Sequence, residues 1–104
     1  GTPAFVQVGG TEGRAYVVSI DDFEVAPNQA TDPADVSVSL TDSVSGDSMT
    51  VDQFLVEGTN IVNSAFSFDG SGFDSLTIGA VLTVTEGISV GNYTGQFNLT
   101  VAYE

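Results

Sequence analysis

The sequence predicts an all-β fold, an immunoglobulin-like β-sandwich of about seven strands, on three observations. Apolar and polar residues alternate with period two along most of the chain. No window repeats apolar residues at i, i+3, i+4 and i+7 for three turns, and Val, Ile, Thr, Phe and Tyr dominate over strong helix formers. A strand with one apolar face buries only that face, so two sheets have to cover each other. A chain of 104 residues supplies a single such domain, 1–104, with no linker or internal repeat.

The strands follow in order. Ala4–Val8 is the first, rich in strand formers and followed by the flexible run Gly9-Gly10-Thr11-Glu12-Gly13. Ala15–Ile20 puts Tyr16, Val18 and Ile20 on one face and Val17 and Ser19 on the other. Asp21–Asp35 reads as a polar connection with five carboxylates, and all three prolines lie in the first third, outside strand interiors. Val36–Thr41 alternates strictly; Ser48–Val56, Asn63–Phe68 and Ser75–Thr85 follow, separated by turn residues such as Asp42–Asp47 and Asp69–Gly72. The last strand is the cleanest, eleven residues from Tyr93 to Tyr103 with Tyr93, Gly95, Phe97, Leu99, Val101 and Tyr103 on one face. That face is expected to be core. Nothing follows this strand in the sequence, so one of its edges needs a partner from elsewhere.

Composition removes many functions. Fourteen Asp and Glu against Arg14 alone leave a net charge of −13, which repels nucleic acid and anionic membrane surfaces. No Cys and no His are present, so disulfides, zinc sites and Ser-His or Cys-His nucleophiles are excluded. The absence of Lys excludes Schiff-base chemistry, P-loops and Lys–Asn cross-links. Apolar runs are too short to span a membrane, and no basic-then-apolar leader opens the chain, as expected of a mature, processed form. A carboxylate pair could serve a glycosidase, but the acids gather at turns and Asp52 alone falls in a predicted strand. No enzyme activity and no cofactor are expected.

The segment Leu76–Val84, followed by Gly91-Asn92-Tyr93-Thr94-Gly95-Gln96-Phe97-Asn98-Leu99-Thr100-Val101-Ala102-Tyr103, resembles the ending of a pilin-like domain family of unknown function from Gram-negative bacteria. That family is related to the spore-coat-U-type and chaperone-usher pilins. Phe5–Gly9, Tyr16–Ile20 and Ser48–Val51 resemble its earlier strands. The resemblance implies secretion to the cell surface and a structural subunit of a pilus-like extracellular filament. Such filaments are homopolymers in which a donated strand completes the neighbour's sandwich, with a periplasmic chaperone and an outer-membrane usher as assembly partners.

The expected subunit interface is Ala4, Phe5, Val6 and Val8 on the donated side and Tyr93, Phe97, Leu99, Val101 and Tyr103 on the receiving side. Residues 1–10 are the expected donor; the alternative is that Ala4–Val8 pairs within its own chain and the donor lies upstream. A second functional reading is a cell-surface adhesin or glycan-binding module, for which Phe23 and Phe73 are the aromatics expected in loops. The glycines Gly79, Gly91 and Gly95 are expected at turns, bulges or close backbone approaches. The acidic loops lack the ligand spacing of an EF-hand, and the sequons at Asn92 and Asn98 are of a kind that recurs by chance.

Overall fold

The computed structural model describes residues 4–84, 87–88 and 90–104. It is all-β, with ten strands in two antiparallel sheets and no helix among the described residues. The strands are β1 (Ala4–Gly9), β2 (Ala15–Ile20), β3 (Phe23–Val25), β4 (Ser37–Asp42), β5 (Ser48–Gly58), β6 (Ile61–Val62), β7 (Ala65–Ser67), β8 (Phe73–Thr83), β9 (Tyr93–Thr94) and β10 (Leu99–Tyr103). The first sheet runs β1-β8-β5-β4-β9, and the second runs β10-β2-β7-β6 with β3 also on β2.

Ten strands replace the seven expected, because three predicted segments break differently. Phe23–Val25, inside the supposed polar connection, folds back on β2 through Asp21 and Asp22, both at positive φ, and Ile20 pairs with Phe23. A two-residue loop with both φ values positive twists the way a hairpin needs. The predicted Asn63–Phe68 strand is likewise half a hairpin: Asn63 and Ser64, at φ 52° and 64°, turn β6 into β7. The third break divides the predicted Tyr93–Tyr103 strand. β9 pairs with β4 in the first sheet and β10 with β2 in the second, so the chain changes sheets between them. Gly95 makes the change possible, since a side chain there would collide with the Ser39 carbonyl and the Leu40 side chain. Of the predicted Ser75–Thr85 strand, Thr85 lies outside the described residues.

The core lies between β2 and the middle of the first sheet. Tyr16, Val18 and Ile20 face Phe54, Val56, Leu76 and Ile78, with Phe66, Phe68, Val25, Val36 and Val38 around them. β5 serves this core on both sides of an irregularity. Its register on β8 shifts between Asp52 and Leu55, with Gln53 at φ 51°. That extra residue resets the alternation, so odd-numbered Met49 and Val51 and even-numbered Phe54 and Val56 all face the same way.

The second layer is shorter than the first. β5 and β8 have 11 residues each, while β2 has six. The molecule is accordingly elongated, 50 × 22 × 21 Å. On β8 the inward row Asp74, Leu76 and Ile78 is buried, but its continuation at Ala80, Leu82 and Val84 is exposed.

Candidate assembly surface

The nine predicted interface residues divide into three groups. Leu99, Val101 and Tyr103 stand opposite Ile20, Val18 and Tyr16 of β2, so they point inward with the core row. Leu99 packs against the core, yet Val101 is 37% and Tyr103 46% exposed. This corrects the expectation that the terminal row is ordinary core. β10 is the edge of its sheet, and no described strand lies on its second side. An inward side chain on an edge strand is covered from one flank only.

On the opposite layer, β1 is the corresponding edge. Val6 and Val8 pack against the core from there, while Phe5 points out, 72% exposed, and Ala4 is exposed too. β1 pairs with β8 of its own chain from Ala4↔Ile78 to Gly9↔Phe73. Between the two edges an open seam runs along the flank, and at one end Gly9, Tyr16, Phe68, Val101, Ala102 and Tyr103 line a cleft of about 140 Å³.

The third group lies away from the seam. Tyr93 pairs with Asp42 at the far end of the first sheet. Phe97, on the crossing segment, rests on Phe54 with ring centroids 5.3 Å apart. Asn98 is fixed twice, its N–H donating to the Asp21 carboxylate at 2.8 Å and its carbonyl accepting from the Asp21 N–H at 2.9 Å.

Two polar devices hold the seam in shape. At its closed end, the Thr11 N–H donates to the Tyr103 hydroxyl at 2.9 Å, the Thr11 hydroxyl lies 3.0 Å from it, and the Arg14 guanidinium sits 4.0 Å from the Tyr103 ring centroid. The hydrogen bonds from Thr11 hold the Tyr103 phenol below its ordinary value. From Tyr103 an aromatic series continues inward through Phe68 at 6.0 Å to Tyr16 at 4.4 Å and Phe66 at 5.5 Å. Inside, the Tyr16 hydroxyl donates to buried Asp74 at 2.5 Å, joining the two sheets. The other Asp74 oxygen accepts from the Thr59 hydroxyl at 2.5 Å and from the N–H groups of Ser75, Asn60 and Thr59 at 2.9, 3.1 and 3.2 Å. Burial, then the hydrogen bond and charge of Asp74, push the Tyr16 phenol well above its ordinary value.

Asp74 is a residue that sequence reasoning assigned to a loop. Its signal was present: carried back from Leu76 and Ile78, the alternation places it inward. The acids are also less confined to turns than expected, since Glu24, Asp42, Asp52, Glu57 and Asp74 lie in strands. Asp42 and Asp74 are buried at opposite ends of the first sheet, and each holds a turn: Asp42 accepts from the Val44 N–H and the Ser45 hydroxyl. Phe23 belongs to β3 and packs against the core, and Phe73 opens β8 half exposed, so neither is a loop aromatic. Gly91 lies against the Asp42 carboxylate, as a close approach, whereas Gly79 has open space where a side chain would be. Among the described residues no group of three or more acidic side chains could hold a metal ion.

Residues 1–103 match the model of the family described as Domain of unknown function (DUF4402), and the chain belongs to that family. No curated protein and no solved structure matches the chain.

Proposed function

We propose that this member of the family is a structural subunit of an extracellular, cell-surface filament, joined without covalent links by a β-strand that one copy lends to the next. One observation carries the reading: the inward row of β10 is apolar, yet open along its outer flank. A strand laid beside β10 takes up its unpaired main-chain groups and closes over Val101 and Tyr103. Full burial of a large apolar side chain contributes roughly 1.5–3 kcal/mol, so half-exposed ones leave about half of that to be gained.

The geometry favours one donor. Lifting β1 from β8 would uncover the edge beside Leu76 and Ile78, which are core. A segment that precedes β1 in a neighbouring copy carries no such cost. A periplasmic chaperone and an outer-membrane usher suit this mode of assembly, and no catalytic step is assigned to the domain.

Electron microscopy of material sheared from the source cells is the direct test: filaments containing this chain are expected, and a dispersed monomer alone refutes the reading. Deleting Gly1–Val8 then separates the donors. If β1 belongs to its own chain, the shortened protein is an unstable monomer that a Thr2–Val8 peptide stabilises without restoring fibres; if β1 is donated, the body stays folded and only polymerisation is lost.

A further inference from the structure

Among the described residues, the far half of β8 is a second open edge, distinct from the seam along β10. β1 accompanies β8 only as far as Ile78, while β5 accompanies its other side out to Thr83. Among the described residues, no strand pairs the free flank of 79–84. Soluble proteins usually blunt such an edge with Lys, Pro or an inward charge. Here Gly79-Ala80-Val81-Leu82-Thr83-Val84 contains no charge and no Pro, and Val81, Leu82 and Val84 are all about half exposed.

The geometry points to a second copy of this chain as the occupant, paired antiparallel with the same segment about a two-fold axis at Leu82. Charge selects that occupant. Two molecules of net charge −13 repel over most of their surfaces, and the run from Ser75 to Thr85 carries no charged residue. Symmetry supports the register. With Leu82 opposite its own counterpart, Ala80 falls opposite Val84 and the reverse, so the apolar row of each copy continues that of the other. Pairing shifted by one residue would set this row against Val81 and Thr83, which point to the other face. A six-residue contact falls short of the roughly 800 Å² per partner of a stable complex, so the pairing is weak in solution and strengthens as salt screens the carboxylates.

The chain has no cysteine, which makes single-cysteine variants direct reporters. Leu82→Cys under mild oxidation should give a disulfide-linked dimer at least about tenfold faster than Val44→Cys, whose almost fully exposed site measures random collision. Sedimentation of the unaltered domain should show a dimer that grows between about 0.05 M and 0.5 M NaCl. Leu82→Lys should abolish the dimer while leaving the circular dichroism spectrum unchanged. Equal cross-linking rates for the two cysteine variants, a monomer at about 1 mM protein in high salt, or a dimer that survives Leu82→Lys each overturn the inference. The test uses the isolated domain, so its outcome is independent of whether filaments form.

Discussion

Leu76 and Leu82 lie on the same strand and the same face, but Leu76 is fully buried and Leu82 is 50% exposed. Around Leu76 the second sheet covers the first, the aromatic series fills the space between them and Asp74 ties them together. Around Leu82, among the described residues, the first sheet continues alone. Equal alternation therefore carries unequal burial: a period-two pattern specifies which side chains share a face, while the length of the opposing layer decides how far that face is covered.

The largest break in this comparison should come from deleting Gln53. Without the extra residue, β5 cannot present both Val51 and Phe54 inward, and a loss of more than about 4 kcal/mol is expected in urea unfolding. Gln53→Gly keeps the positive φ and should change stability by less than about 1 kcal/mol. Next comes the matched pair of leucines. Leu76→Ala should cost about 2–5 kcal/mol, and Leu82→Ala less than about 1 kcal/mol, by the same measurement. Equal costs would mean that the far half is covered in solution.

The covered half should also set the response to alkali. Burial and Asp74 raise the Tyr16 phenol above its ordinary value of 10.0, so the folded chain keeps a proton that the unfolded chain gives up. This contribution is complete below pH 10 and is lost as pH rises above it, at no more than about 1.4 kcal/mol per pH unit. Comparing unfolding midpoints of the native protein and Tyr16→Phe from about pH 9 to 11.5 isolates it: the native protein should lose stability more steeply. The smallest effect belongs to the closed end of the seam, where the bond to Tyr103 is exposed to water. Tyr103→Phe removes the bond from Thr11 and should cost about 0.5–1 kcal/mol, with the Arg14 contact to the ring retained.

Much of this was legible in the sequence. β1, β2, β4, β5 and β8 lie where alternation places them, and Tyr16, Val18 and Ile20 are buried as their spacing requires. What escaped were features that alternation does not encode. The Asp21-Asp22 and Asn63-Ser64 turns contain no glycine, so a two-residue hairpin loop looked like a polar connection in one case and a continuous strand in the other. The change of sheets at Gly95 preserves the period on both sides of the break, which makes two short strands read as one long one. The exposure of Val101 and Tyr103 was beyond reach for a related reason: burial depends on which elements lie across the layer, and that is a property of the whole fold.

The Tyr16 site has an optical consequence. The chain contains no tryptophan and three tyrosines, and Tyr16 is the one fully enclosed, stacked 4.4 Å from Phe68 and bonded to a carboxylate. An asymmetric, rigid setting of this kind produces near-ultraviolet circular dichroism, which disappears when side-chain packing loosens even if backbone pairing persists. The chain thus carries its own chromophore at the junction of its two layers, and a spectrum between about 270 and 290 nm reports their contact without an added label.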